Sequence, residues 1–176
     1  MSEGFGVSSG DLRAPSLRRR LAAFAYEGIL LFGVLMIAGY LFSSLTQQRH
    51  AMVGRHGLQA FLFVVLGVYF TWFWSHGGQT VAMKAWHVRL VDRQGHAVTQ
   101  PRALARYLLS WLWFAPALIA LDASGTRDPG IMFGVVFVGA ALYALLSRLH
   151  PTRQFLHDVV CGTRLITFHT PPKPRA

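Results

Sequence analysis

An arginine at position 20 and a glutamate at position 27 stand at the head of the chain's longest apolar run, RLAAFAYEGILLF. Seven residues make two helical turns, which puts both side chains on one face about 10 Å apart along the axis. A charge left unpaired among apolar groups costs several kcal/mol. Arg20 can snorkel back to a membrane interface, but the shorter Glu27 cannot. Glu27 therefore needs an opposite charge, a hydrogen-bonded protonated state or a wet cavity. Arg106, which enters a later apolar run at comparable depth, is its expected partner. Two readings follow: a proton- or cation-binding carboxylate, or a buried pair that fixes how two helices pack.

Two other stretches hold groups that could do chemistry. In RQFLHDVVCGTRLI, His157 and Asp158 are adjacent and are followed by Gly162 and Thr163. Neighbouring residues on a helix point in different directions, and neither a serine nucleophile motif nor a second metal-ligand pair accompanies them. The expectation is a boundary motif in which Asp158 caps a helix or meets a base such as Arg20. In GGQTVAMK, Gly78, Gln79 and Thr80 suggest a tight turn with side-chain bonds to the backbone; the spacing is not that of a phosphate-binding loop. His50 and His56 flank a loop and make only a weak metal pair. The one cysteine, Cys161, excludes an intramolecular disulfide and reads as an apolar filler. No catalytic residue, metal or cofactor is expected, and no enzyme.

The elements that must hold these residues are membrane helices. Of 176 residues 53% are hydrophobic and only 14% charged, with mean hydropathy +0.38; a soluble domain carries about 25% charged residues. Four segments qualify as spans: 21–42, 58–74, 103–121 and 130–147. Tyr69, Trp72 and Trp74 close the second like an interfacial belt, and Pro116 marks a kink in the third. One such run could be a buried soluble helix, but four leave too little polar sequence to wrap them. The fold class expected is an all-α membrane protein, a bundle of four transmembrane helices with a small cytoplasmic β-hairpin. The hairpin is placed in KAWHVRLVDRQGHAVTQ, with DRQG as its turn and TVAMKAW as a surface helix leading in. Residues 1–14 read as a flexible cytoplasmic tail without a cleaved signal peptide, 15–168 as the transmembrane domain, and 169–176 as a disordered tail.

A net charge of +10 alone could suggest nucleic acid, but the basic residues flank apolar segments and no base-reading motif is present. With both termini and the second loop on one side, thirteen basic residues lie there against three opposite. The positive-inside rule then puts both termini in the cytoplasm of a multi-pass protein of the cell (plasma or inner) membrane.

Taken together, the pieces resemble the RDD family of small multi-pass membrane proteins. The arginine and first acid of that family match RLAAFAYE, with Glu27 where an aspartate is usual. The Gly-Gln-Thr turn and the basic β-rich segment after it match GGQTVAMKAWHVRLVDRQG, with Ala82 where a glycine is frequent. Arg106 matches an arginine that opens the next span, and HDVVCGT supplies Asp158 as the remaining aspartate. The resemblance covers about residues 15–166 and implies no enzyme. Some members are linked to sodium/proton exchange and others to assembly of membrane complexes.

Two functions follow as expectations. In the first, a cation or proton crosses through a path containing Glu27, with Arg106 tuning its charge and Arg20 and Asp158 closing the cytoplasmic side; four spans then require a homo-oligomer or a partner. In the second, the chain is a non-transporting scaffold or assembly factor for other membrane proteins. Beside the bilayer itself, anionic lipid headgroups are expected at the basic loops. The spans hold few polar groups beyond Glu27, Arg106, Thr71 and Ser110, whereas transporters usually line a path with several.

Overall fold

The computed structural model describes residues 14–46, 55–126, 128–147 and 154–168. Apart from Ala14, the two expected tails lie outside the described residues, as do His50 and most of the first loop. Helix α1, Leu17–Leu45, starts where the Ser16 hydroxyl accepts the Arg19 N–H at 3.4 Å. Its 29 residues rise about 43 Å, more than the ~30 Å of a bilayer's hydrocarbon core. Helix α2 is Arg55–Ser75. After it come a short α3, Val81–Ala85, and strand β1, Val88–Asp92. The third crossing is broken: α4, Gln100–Ser110, passes through a 3₁₀ turn at Trp111–Trp113 into α5, Ala115–Ser124, with a bend of 42°. Pro116 is the cause. It has no N–H to give to Leu112, and its ring crowds that carbonyl. Helix α6, Pro129–Leu146, begins with Asp128 accepting the Ile131 N–H at 3.0 Å. A last short helix α7, Leu156–Cys161, leads into strand β2, Thr163–Thr167.

Three helices, α1, α2 and α6, are long and apolar enough to cross a membrane, and the bent α4–α5 pair passes the same test when taken as one span, which gives four. Their outer surfaces agree: Phe32 is 66% exposed, Tyr40 73%, Phe133 78% and Phe137 76%. Apolar surface on that scale faces lipid, since a soluble monomer would aggregate through it. The packed core instead gathers at one end of the bundle. There Trp74, Tyr107, Trp113 and Phe155 meet the inner faces of both strands.

The small antiparallel sheet forms, but it is not a local hairpin. β1 pairs with β2, in register from Val88 opposite Thr167 to Asp92 opposite Thr163. DRQG does turn, because the Asp92 carboxylate accepts the N–H groups of Gln94 and His96, each at 2.8 Å. Beyond it the chain runs on to Thr99 without a second strand. The partner supplied from after α6 buries more: Val88, Leu90, Val91 and Ile166 are each at most 1% exposed. Gln154 fixes that partner, its side chain bonding both the N–H and the carbonyl of Leu165 at 3.0 Å.

The Gly78-Gln79-Thr80 turn hooks α3 onto this sheet. Gly78 sits at φ 70° and its carbonyl accepts the Leu90 N–H at 2.7 Å; Gln79 donates to the Val88 carbonyl at 2.8 Å. A Cβ on Gly78 would run into the Leu90 carbonyl oxygen. Gly78→Ala should therefore cost about 2 kcal/mol, combining left-handed backbone strain with the lost approach. Gly125 has a similar φ of 63° but open space around it, so Gly125→Ala should cost about half as much. Chemical unfolding of the two variants in detergent checks the difference.

Candidate intramembrane charge site

Asp158 is fully buried on α7, and its position explains the fold-back of the chain after α6. Its Oδ1 accepts from Arg106 Nε at 2.6 Å and from Thr163 Oγ1 at 3.3 Å. Gly162, at φ 66°, ends α7 in the left-handed conformation that brings Thr163 round to the carboxylate. The Arg106 guanidinium also lies over the Trp74 ring, 4.1 Å from its centroid. Burial alone would raise the Asp158 carboxyl. The Arg106 charge, helped by His157 and by hydrogen bonds from Arg106 and Thr163, reverses that and holds it below the usual carboxylate range.

His157 is enclosed with it. The Tyr143 hydroxyl accepts the His157 backbone N–H at 3.2 Å and lies 2.9 Å from Nδ1 of the ring. The other ring nitrogen, Nε2, lies 3.6 Å from Asp158 Oδ1. Burial lowers the His157 pKa to about 4, against a smaller opposing pull from Asp158. The histidine is neutral at neutral pH and stands beside the carboxylate without a hydrogen bond to it. Half-buried Cys161 follows, its thiol pushed up by burial.

Glu27 is held differently from the expectation. Its Oε1 accepts the Tyr69 hydroxyl at 2.7 Å, and its Oε2 accepts the Thr80 hydroxyl. Thr80 in turn caps α3 by accepting the Met83 N–H at 3.2 Å. Among the described residues no ion pair to Glu27 forms, and Arg106 pairs with Asp158 instead. The reason is supply: α7 delivers a carboxylate directly to Arg106, while two hydroxyls already occupy both oxygens of Glu27. The carboxylate ties together α1, α2 and the cap of α3.

Arg20 also departs from expectation. It is 5% exposed rather than snorkelling, its guanidinium carbon lying 4.5 Å from the centroid of the Phe155 ring. Its Nε and Nη1 have no hydrogen-bond partner among the described residues. Asp158, the acid expected to meet it, forms its ion pair with Arg106. The Phe155 ring, just before α7, covers one face of the guanidinium.

A cavity of about 290 Å³ joins these groups. Arg20, Glu27, Arg106 and His157 line it, and aromatic and aliphatic side chains of α1, α2, the 3₁₀ turn and α5's flank make up most of the remainder. Asp158 and Thr163 stand behind Arg106. Gly78 and Gln79 stand on the sheet, away from the charges, and Gly162 only shapes the chain. Among the described residues no cluster of three or more His, Cys, Asp or Glu side chains could hold a metal.

With this arrangement in view, the profile of the RDD family matches residues 14–162. The chain belongs to the RDD family. No curated protein and no solved structure matches it. In this RDD chain the arginine and the two acids are thus distributed over two polar centres, Glu27 with its hydroxyls and Asp158 with Arg106, with Arg20 on the same cavity.

Two residues that matter at the site were missed from the sequence. Tyr69 reads as part of an interfacial belt, yet its hydroxyl turns inward; only Trp72, 58% exposed, faces outward as a belt residue would, while Trp74 is buried beneath Arg106. Tyr143 lies in a run without charge that offers no polar neighbour. The signal for Tyr69 was present in Glu27 itself, because a buried carboxylate calls for donors. Of the two other polar span residues, Ser110 bonds back to the Tyr107 carbonyl at 2.7 Å, and the Thr71 hydroxyl is buried without a partner among the described residues.

Proposed function

We propose that this RDD protein carries protons or a small monovalent cation across the cell membrane by way of Glu27, as part of an oligomer. One observation supports this above the rest: a buried carboxylate, held by two hydroxyls and in no ion pair among the described residues, on the wall of a cavity between helices. Three oxygen-bearing side chains converge there. A proton can add to the carboxylate, or a cation can take up the oxygens as the hydroxyls rotate. Arg106, locked to Asp158, is a neutralised, fixed part of the wall rather than a mobile partner for Glu27. The basic end carrying the sheet lies in the cytoplasm on the positive-inside rule, where its arginines attract anionic headgroups. The exposed face of α6 is where further subunits or partner membrane proteins complete the path. No enzymatic step enters this reading.

A second reading rests on the same bonds. Because Glu27 joins α1, α2 and α3, it also works as a latch in a scaffold that assembles other membrane proteins. Flux into vesicles separates the two. The full chain reconstituted in liposomes should dissipate an imposed pH gradient in the presence of sodium or potassium. Glu27→Gln, which keeps the shape and a hydrogen-bonding oxygen, should bring flux to the level of empty vesicles without changing elution in detergent. Wild-type flux no higher than in empty vesicles for every cation tried would leave the scaffold.

A further inference from the structure

We propose that the cavity is a binding site for a single anionic membrane lipid, whose phosphate group is taken by Arg20 and whose acyl chain lies along the apolar wall. The inference does not depend on Glu27 moving protons. It starts from a cation that is 5% exposed and has two N–H-bearing nitrogens, Nε and Nη1, without acceptors among the described residues. A buried charged donor left unsatisfied is costly. The other arginine on the cavity, Arg106, is neutralised by Asp158. Phe155 covers one face of the Arg20 guanidinium, which leaves its edge, where the N–H bonds point, as the side available to an acceptor. A guanidinium edge meets phosphate oxygens in a two-pronged geometry.

The rest of the cavity fits a chain rather than water. Its 290 Å³ far exceeds the ~15 Å³ a single water requires, and water needs polar partners that most of this wall lacks. Phe24 stacks on Trp113 with centroids 5.3 Å apart, giving a flat aromatic side. Phe24 is itself 52% exposed, and Gly28 has nothing within 4 Å of where its Cβ would stand. The cavity therefore opens sideways along α1, at the level where neighbouring helices turn apolar residues to lipid. A free phosphate would satisfy Arg20 and leave the apolar length unfilled; a lipid satisfies both.

The test uses the full chain purified in detergent and read by native mass spectrometry, with quenching of tryptophan fluorescence by lipids brominated along the acyl chain as a second readout. Trp74, Trp111 and Trp113 line the cavity. Phosphatidylglycerol should be retained at one per chain and should bind about tenfold more tightly than diacylglycerol with the same chains, which lacks the phosphate, the difference one charge-assisted contact makes. Arg20→Gln should remove that preference. Gly28→Leu keeps Arg20 and fills the mouth, so it should weaken binding of the lipid whether or not Arg20→Gln folds. Equal affinity for the two lipids, or binding and quenching unchanged in Gly28→Leu, overturns the proposal. So does inorganic phosphate that abolishes the phosphatidylglycerol preference at millimolar concentration, which would assign Arg20 to a free anion.

Discussion

Asp158→Ala should destabilise the protein by about 3–5 kcal/mol, the usual consequence of leaving one member of a buried ion pair alone. Arg106 is 6% exposed, and with Asp158 gone its Nε loses its acceptor while Trp74 remains the only described aromatic beneath it. Thr163 loses an acceptor as well. Because α7 and β2 are fastened at this point, the damage should spread to the sheet. Hydrogen exchange at Leu90 and Leu165 should rise with the drop in melting temperature. A paired variant, Asp158→Leu with Arg106→Met, removes both charges and should recover much of the loss. If Asp158→Ala melts like the wild type, the ion pair does not hold the fold together.

Acidification should weaken the same region before it weakens the helices. His157 has a pKa near 4 when folded, against 6.5 for the free side chain. Between those values the unfolded chain binds the proton and the folded chain does not, so stability falls as pH drops from 6.5 to about 4. At ~1.4 kcal/mol per pH unit this comes to about 3 kcal/mol. The depressed Asp158 carboxyl acts in the same direction: its contribution is present above about pH 3.8 and is lost as pH falls below it. Unfolding measured in detergent from pH 7.5 to 4 should show the decline, and His157→Gln should flatten it above pH 4. A profile that is level from 6.5 to 4.5 in wild type would mean that the ring is protonated inside the fold.

The family, the four crossings and the kink at Pro116 were legible because each rests on local signals: apolar length, basic flanks, and a residue without an N–H. What the sequence could not reveal was who meets whom. The turn at DRQG was visible, but β1 chooses β2 over the adjacent residues because Ile166 and Leu165 bury more surface than Ala97 or Thr99 could, and that comparison requires the fold. The partner of Arg106 was misjudged for a related reason. Depth in the membrane makes Glu27 and Arg106 neighbours on paper, whereas a six-residue helix, too short to register as an element in the pattern, brings Asp158 closer. Thr80 was recognised as a turn residue, and nothing along the chain told that the turn dips far enough to reach α1.

The pairing of β1 with β2 and of Arg106 with Asp158, separated by 52 residues, sets an order on biogenesis. Translation delivers α1 through α5 to the membrane while the strand's partner and the arginine's counter-charge are still inside the ribosome. For that interval the nascent chain holds an uncompensated guanidinium and an open strand edge, and the edge is open to wrong pairing. Both defects close together only when α7 and β2 emerge and fold back, so the ion pair and the sheet form in one late step.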